Sequence, residues 1–205
     1  MTSKPDIPRK TVYRLSIYQR CLQQLKRTAT ETVSSEALAK AAGVKPSQLR
    51  KDLTHFGNFG TRGLGYNVES LSAQLTEVLG TARLQPVILV GVGNLGSALL
   101  RYGGFNKEGF EIAAAFDQDP TPRPNSSTLI LPMEEMPRII QLHAVKMAIL
   151  AVPASAAQLV VNAIIPHGIQ AILNFAPTIL DVPEGVWVNN VDLAVELENL
   201  SYFIR

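Results

Sequence analysis

The stretch PVILVGVGNLGSALLRY, residues Pro86–Tyr102, decides the fold of the C-terminal part of the chain. Its apolar run, Pro86–Val90, is typical of a strand buried in a parallel sheet. Glycines at positions 91, 93 and 96 follow directly, and a helical stretch begins at Ser97. Such glycines allow a tight turn, a close approach of the backbone to a pyrophosphate, and close packing of helix on strand. The strand, the glycine-rich turn and the helix together predict a dinucleotide-binding unit.

Strands and helices continue to alternate along the rest of the chain. This alternation is typical of a doubly wound α/β fold with a parallel sheet. The predicted strands are Phe110–Phe116, Ser127–Leu131, Lys146–Val152, Gln170–Asn174 and Val186–Val188, and the predicted helices are Met133–Leu142, Ala154–Ile165 and Val191–Phe203.

Ligands of doubly wound sheets bind beyond the carboxyl ends of the strands. Three loops at these ends are therefore candidates for contact with a nucleotide. The candidate nucleotide-binding residues in them are Gly91, Val92, Gly93, Asn94, Leu95, Gly96, Val152, Pro153, Asn174, Phe175 and Ala176.

An acidic residue, Asp117, ends the second predicted strand, 26 positions after Gly91. A carboxylate there accepts a hydrogen bond from the ribose 2′-hydroxyl and repels a 2′-phosphate, so it favours NAD(H) over NADP(H). Arg123 lies nearby among prolines 120, 122 and 124, and we interpret it as a solvated loop residue.

The net charge changes sign along the chain. Residues 1–85 carry 13 Lys and Arg against 6 Asp and Glu, whereas residues 86–205 carry 6 against 11. This asymmetry indicates two domains with different partners, and it makes the basic domain a candidate for binding a polyanion.

The basic part begins with three predicted helices. The first is amphipathic and spans Thr11–Arg27, the second spans Glu36–Ala42 and ends at Gly43, and the third runs from Pro46 to about Thr54. The two short helices and the turn between them form a helix-turn-helix pattern. The candidate DNA-contacting residues of the third helix are Ser47, Gln48, Arg50 and Lys51.

The segment HFGNFGTRGLGY, residues 55–66, follows this pattern. Its four glycines and interleaved aromatic residues predict a tight β-ribbon, which would form the wing of a winged helix. Arg62, with Gly63 beside it, is expected near the tip, where an arginine can enter a narrow A·T-rich minor groove. Together with the positive charge, the helices and the ribbon predict binding to double-stranded DNA. A further helix, Val68–Leu79, connects the two domains.

Several classes of protein are disfavoured by what the chain contains. The single cysteine, Cys21, makes no internal disulfide and is interpreted as a packing residue, and the three scattered histidines argue against a metal site. No apolar run reaches the roughly 18–20 residues that span a bilayer. Residues 1–10 are polar and lack a secretory signal, so we expect a cytoplasmic protein without a membrane partner.

Seven segments of the chain resemble those of the Rex family of bacterial redox-sensing transcriptional repressors. The resemblance extends over nearly the whole chain, and the order and spacing of the segments are shared as well. The segments that carry it are SSEALA, QLRKDLTHFGNFGTRGLGYNV, VGVGNLGSALL, FEIAAAFDQDP, AVPASAAQ, ILNFAP and NNVDLAVEL.

This resemblance implies a homodimer with three parts: a winged-helix DNA-binding domain, residues 1–84; a Rossmann domain for NADH or NAD+, residues 85–190; and a C-terminal helix, residues 191–205, exchanged with the partner subunit. It implies that the dimer binds inverted-repeat operators and that NADH releases it from the DNA. It also implies that NAD+ competes with NADH for the same site. Tyr102 would lie near the nicotinamide. Tyr102, Arg20 and Asp192 would exchange hydrogen bonds when the ring is reduced.

One segment departs from the family pattern. Residues 121–127 are short and proline-rich, where the family has a Lys- and Gly-rich stretch beside the adenosine pocket. This departure, beside the adenosine pocket, favours testing other ligands, and two alternatives to a redox sensor stay open. One is a regulator whose pocket takes another adenine nucleotide such as coenzyme A. The other is a small NAD-dependent oxidoreductase with His167 and Arg138 as nominal catalytic groups, although neither lies in the three loops; the main prediction has no catalytic residue.

Overall fold

A computed structural model describes residues 7–57, 59–61, 63–121 and 128–204. The chain divides into two compact units, residues 1–83 and 84–205, close to the predicted boundary after residue 84. Among the described residues, no helix combines the length and the apolar character needed to cross a membrane.

The first unit is a helical domain with a small antiparallel sheet. Its sheet has the order β1-β3-β2, in which β2 and β3 form the predicted ribbon. Its elements are α1 (Arg9–Arg27), β1 (Thr32–Val33), α2 (Ser35–Ala41), α3 (Pro46–Thr54), β2 (Gly60–Thr61), β3 (Gly65–Asn67) and α4 (Val68–Leu79).

Apolar side chains from all four of these helices form one core. Their spacing of three and four residues places them on one face of each helix. The fully buried members are Leu15, Tyr18, Leu22, Leu38, Ala39, Leu49, Leu71 and Leu75. Cys21 packs half-buried against this core, as predicted, and burial raises the pKa of its thiol.

The second unit is a doubly wound α/β domain. Its six strands are all parallel and have the order β6-β5-β4-β7-β8-β9. Its elements are β4 (Gln85–Val90), α5 (Asn94–Arg101), α6 (Gly104–Lys107), β5 (Phe110–Asp117), β6 (Ile130–Pro132), α7 (Met136–Leu142), β7 (Met147–Leu150), α8 (Ala154–Ile164), β8 (Ala171–Asn174), β9 (Trp187–Asn190) and α9 (Leu193–Tyr202).

Both faces of this sheet are covered by helices. Alternate residues of β4 point to opposite faces, so Ile88 packs with α7 and α8 while Leu89 packs with residues of α5 and α6. This explains why the strand is apolar from Pro86 to Val90. Counted from β4 as the first strand, the order is 3-2-1-4-5-6, which is that of a Rossmann fold, so the predicted fold class is confirmed.

Two short elements, β1 and α6, were not predicted from the sequence, because they are too short to show a periodicity. Several helix and strand boundaries also differ from the predicted ones. The predicted helix Met133–Leu142 is a 3-10 turn over Met133–Glu135 followed by α7, because Pro137 fits the first turn of an α-helix. The helix after the glycine-rich turn begins at Asn94 rather than Ser97.

The last helix, α9, buries none of its own residues, all of which the structure describes. Its apolar side chains are instead exposed within the single chain. The exposed apolar residues of α9 and the turn after it are Leu193, Val195, Leu197, Leu200, Tyr202, Phe203 and Ile204. A helix with so much exposed apolar surface needs another surface to cover it.

Candidate functional site

The three glycines of the turn after β4 meet three different demands. Gly91 has φ +92°, and a Cβ there would overlap the carbonyl of Ala151. A Cβ at Gly96 would overlap the carbonyl oxygen of Gly91, so this glycine lets α5 pack directly on the turn. Gly93 is exposed and has no heavy atom near its missing Cβ, which leaves open space at the N-terminus of α5.

That open space lies where a helix N-terminus presents backbone N–H groups and the positive end of its dipole. The combination suits a pyrophosphate, because phosphate oxygens accept hydrogen bonds from N–H groups and carry negative charge. The predicted roles of Gly91, Gly93 and Gly96 therefore have the geometry that they require.

The carboxylate of Asp117 closes this site from the end of β5. One oxygen, Oδ2, accepts a hydrogen bond from the Val92 N–H at 2.6 Å, and Oδ1 accepts one from the Asp119 N–H at 2.9 Å. Asp117 therefore holds the glycine-rich turn in place as well as standing where a ribose is expected. The motif's spacing indicated the second role but gave no signal of the first.

Backbone hydrogen bonds bring the three predicted loops to one edge of the sheet. Three N–H groups donate to backbone carbonyl oxygens of the neighbouring strand at 2.8 to 2.9 Å. The pairs are Gly91 to Phe116, Ala151 to Val90, and Phe175 to Leu150. These bonds continue the pairing of neighbouring strands past their carboxyl ends. The strand order reverses between β4 and β7, which is the place where Rossmann folds bind their ligands.

A cavity of about 510 Å³ adjoins Asp117 on the α8 side of the sheet. Its lining is mostly apolar, with two acidic residues at its border, which suits the flat face of an adenine better than a phosphate. Residues 122–127 lie outside the described part of the chain, and so does Arg123, whose interpretation as a solvated loop residue stays a prediction. The lining residues are Asp117, Gln118, Pro132, Met133, Glu134, Met136, Ala156, Leu159, Val160 and Ala163.

The side chain of Asn174, at the end of β8, organises the third loop from within. It is fully buried, donates to the carbonyls of Ala176 and Thr178 and to the side chain of Asn190, and accepts from the Ala176 N–H. Its side chain therefore shapes the loop. Phe175 is half-buried against the core on the α5 side of the sheet, and Ala176 is buried, while Val152 is half-buried and Pro153 exposed.

The three predicted switch residues occupy distinct settings. Tyr102 is exposed directly after α5, and its ring meets that of Phe105 edge-on at 5.1 Å. A Cβ at Gly104 would overlap the Tyr102 ring, so that glycine allows the ring its position. Arg20 is exposed on α1. Asp192 caps α9, because its Oδ1 accepts from the Ala194 N–H at 2.9 Å and the Val195 N–H at 3.3 Å.

The helix-turn-helix is built as the caps in the sequence indicate. Ser34 accepts a hydrogen bond from the Ala37 N–H and begins α2, and Gly43 has φ +68° after its end.

Ser47 and Lys51 are exposed on α3, as predicted. A groove of about 640 Å³ separates α3 from the ribbon, and Gly63 lies on its wall. Arg62 lies outside the described residues.

Two of the four candidate DNA-contacting side chains of α3 are engaged within the domain. Arg50 donates to Ser35 at 2.9 Å and lies 3.6 Å from the carboxylate of Glu36. Gln48 is half-buried, and its Nε2 donates to Asp52 at 2.9 Å. Arg50 stays exposed while it makes these contacts, as expected for an outer face of α3, whereas Gln48 is half-buried; the contacts of both residues with DNA stay predictions.

Asp52 itself is a buried carboxylate that the sequence pattern did not single out. Arg14 donates to both of its oxygens, from Nε at 2.6 Å and from Nη2 at 2.7 Å, and Tyr18 donates at 2.8 Å. Burial alone would raise the pKa of Asp52, but the hydrogen bonds from Arg14, Tyr18 and Gln48 outweigh it and hold the pKa at about 2.

A lowered pKa makes the stability of this domain dependent on acid. The ionised Asp52 contributes about 2 kcal/mol above pH 5, and about half of that is lost by pH 3, because the unfolded carboxyl becomes protonated first. We expect the difference in unfolding free energy between the chain and its Asp52→Asn variant to shrink accordingly. Urea unfolding followed by circular dichroism measures it, and the fluorescence of the single tryptophan, Trp187, reports separately on the second unit.

Two family models match the chain, one in each unit. Residues 6–54 match a model described as "Putative DNA-binding protein N-terminus", and residues 83–178 match one described as "CoA binding domain". Their boundaries follow the division of the structure, with the helix-turn-helix in the first and the glycine-rich turn in the second.

Similar proteins match nearly the whole chain. The redox-sensing transcriptional repressor Rex of Pelotomaculum thermopropionicum is 46% identical over 198 residues, 96% of this chain and 93% of the relative. The protein of the same name from Streptomyces coelicolor is 46% identical over 98% of this chain and 79% of the relative. The chain belongs to the Rex family. It is thus a member of a family of transcriptional repressors and not of enzymes.

Solved Rex-family structures agree with this assignment. One is of RSP, a Rex-family repressor, in complex with β-NAD+ and operator DNA, with a TM-score of 0.89, 35% identity and coverage of 98% of this chain and 94% of that one. Another is of RSP in complex with β-NADH, with a TM-score of 0.85 and 33% identity over 98% and 95% of the two chains.

Membership of the Rex family also answers the oxidoreductase alternative. Arg138 donates to Glu135 on the first turn of α7 at 2.6 Å. His167 lies in a 3-10 turn before β8, at the amino end of that strand. A nicotinamide at the carboxyl ends of the strands is therefore at the other edge of the sheet from His167, and the oxidoreductase hypothesis finds no support at the site.

Proposed function

We propose that this chain is a cytoplasmic homodimeric repressor that binds inverted-repeat operator DNA and is released by NADH. The observation that carries the proposal is the glycine-rich turn with Asp117 beside it, at the switch point of a Rossmann sheet, in a chain whose other unit is a winged helix. The relatives' names and the RSP complexes support the pairing of these two parts.

The nucleotide is expected across the carboxyl edge of the sheet. Its pyrophosphate lies over Gly93 at the start of α5, where a side chain would intrude. Its adenosine ribose donates to Asp117, which keeps lone pairs available while it holds the Val92 N–H. The same carboxylate repels a 2′-phosphate, so the site favours NADH over NADPH.

The operator is expected along the exposed face of α3 and beside the ribbon. Ser47, Arg50 and Lys51 are exposed on that helix and would contact phosphates and base edges. Arg62 and Gly63, from the ribbon sequence, would enter the minor groove. A two-fold dimer places one such helix on each half-site of an inverted repeat.

The dimer is expected to form through α9. Its exposed apolar residues support an exchange in which the helix of one subunit is covered by the partner. Such an exchange brings Asp192 of one subunit to the other, where Arg20 and Tyr102 complete the predicted switch. A change of the nicotinamide from charged to neutral would then alter which of these groups bond to one another.

No catalysis is required for this activity. A ligand releases DNA if it binds more tightly to the arrangement of the dimer that cannot bind both half-sites. Linkage makes this reciprocal, so operator DNA must weaken NADH binding by the same factor by which NADH weakens DNA binding.

A titration of a fluorescent inverted-repeat duplex with the protein tests the proposal. Anisotropy is measured at fixed salt, first alone and then with NADH or NAD+ present. We expect NADH to release the duplex at a concentration at least tenfold lower than NAD+, as coupling of about 1–3 kcal/mol allows. Tight binding that is indifferent to NADH, or no preference for the inverted repeat, would contradict it.

The match of residues 83–178 to a CoA-binding model gives one specific reason to test a second ligand. Coenzyme A shares the adenine and pyrophosphate of NADH, so the glycine-rich turn suits both. The same titration with NADH, NADPH, coenzyme A and ATP in turn separates them. Release by coenzyme A at a lower concentration than by NADH would make this chain a sensor of a different metabolite.

A further inference from the structure

The carboxylate of Asp52 links α1 to α3, because it accepts hydrogen bonds from side chains of both helices. Arg14, Tyr18 and Thr11 reach Asp52 from α1, at 2.6 to 3.3 Å, and Gln48 reaches it from the preceding turn of α3. Asp52 is only 1% exposed, although it lies on a helix whose opposite face is expected to meet DNA.

The geometry of these hydrogen bonds restricts rotation of α3 about its own axis. The guanidinium of Arg14 meets the carboxylate with two nitrogens on two oxygens, and such a planar pair tolerates little turning of either partner. Leu49 and Leu53 decide which face of α3 packs on the core, but they tolerate small rotations of the helix because apolar contacts are not directional. The carboxylate therefore adds orientation to a packing that already supplies stability.

Gln48 is drawn into the same arrangement. Its amide lies one helical turn before Asp52 and donates to the oxygen that also accepts from Arg14 Nη2. The bond turns the Gln48 amide toward the core side of α3, whereas Ser47 and Lys51 remain exposed.

We propose that Asp52 is a positioning residue for operator recognition, which sets the rotation of α3 so that its exposed side chains meet base edges, and that Gln48 acts through Asp52. This rests on the proposed function, since it presumes that α3 lies in the major groove of an operator. Phosphate contacts tolerate a small rotation of the helix, but bidentate base contacts do not.

The Asp52→Asn variant tests this by separating specific from non-specific binding. It keeps the shape of the side chain and removes its charge. We expect its affinity for the inverted-repeat duplex to fall at least about tenfold, while its affinity for a scrambled duplex of equal length stays the same or rises. The slope of affinity against salt should stay unchanged, because the phosphate contacts remain.

Glu69→Gln is the matched control. It also removes one negative charge from the same unit, but from an exposed pair in which Lys26 lies 2.8 Å away. We expect it to raise the affinities for both duplexes equally. A ratio of specific to non-specific affinity in Asp52→Asn that stays within twofold of the Glu69→Gln value would overturn the proposal.

Two further variants keep the test decisive. Tyr18→Phe removes one donor and leaves the ion pair, so it should lower the ratio severalfold even if Asp52→Asn folds poorly; an unchanged ratio counts against the proposal. Gln48→Ala should weaken binding evenly across operators with single base changes, whereas a loss confined to one base position would make Gln48 a base-reading residue. Lack of any preference in the unaltered chain would instead refute the proposed function.

Discussion

Replacing Gly96 with alanine is expected to unfold the nucleotide-binding unit or to abolish NADH binding, with a loss of stability of at least about 3 kcal/mol. The added Cβ would overlap the carbonyl oxygen of Gly91, and neither backbone can move without separating α5 from β4. Thermal unfolding followed by Trp187 fluorescence measures the stability, and fluorescence titration measures NADH binding.

Gly93→Ala is the matched variant, because its Cβ enters open space and its φ of −69° is ordinary for alanine. We expect its unfolding midpoint to stay within a degree or two of the unaltered chain, since surface changes are usually worth less than about 0.5 kcal/mol. Its affinity for NADH should nevertheless fall at least tenfold, because the methyl group occupies the place of the pyrophosphate. Unchanged affinity would remove the turn from the proposed site.

A chain ended at Asn190, which lacks α9, is expected to be monomeric and to bind the inverted-repeat duplex at least about 100-fold more weakly. A monomer cannot hold both half-sites at once, so it loses the gain from the second, linked contact. Sedimentation velocity measures the oligomeric state, and duplex anisotropy measures the affinity. The second unit should remain folded, because α9 contributes no buried residue to it.

Substitutions within α9 distinguish its apolar surface from its mere presence. Changing Leu193, Leu197 and Leu200 together to glutamine removes three exposed leucines spaced four and three residues apart. This variant should behave like the shortened chain. Changing Glu196 and Glu198 to glutamine alters the same helix and should leave a dimer. A leucine variant that stays dimeric would place the interface elsewhere.

The sequence was enough to predict the features that depend on local pattern. The apolar strand, the three glycines and Asp117 identified the Rossmann unit because each has a fixed place in a short motif. Helix ends at Gly43 and at Pro46 followed from the backbone preferences of those residues. The doubly wound parallel sheet and the meeting of the three loops at its carboxyl edge followed from the alternation of elements and the rule for parallel sheets.

The features that the sequence did not reveal depend on contacts between distant residues. Asp52 lies 38 positions from Arg14, and on α3 it reads as one more polar residue among charged neighbours. Asn174 carries no motif that announces a fully bonded, buried amide. The hydrogen bonds of Arg50 to Ser35 and of Gln48 to Asp52 gave no signal in the sequence either, because the Ser35 hydroxyl comes within reach of Arg50 only when α2 and α3 are folded together.

The cap at the start of α9 links the predicted switch to the integrity of a helix. Asp192 already satisfies two backbone N–H groups through one oxygen. A rearrangement that pulls this carboxylate onto an arginine must either use the other oxygen or release the cap, which is worth about 0.5–2 kcal/mol. That energy is comparable with a typical coupling between two sites. The first turn of α9 would thus be stabilised when Asp192 caps it and destabilised when Asp192 binds the arginine instead.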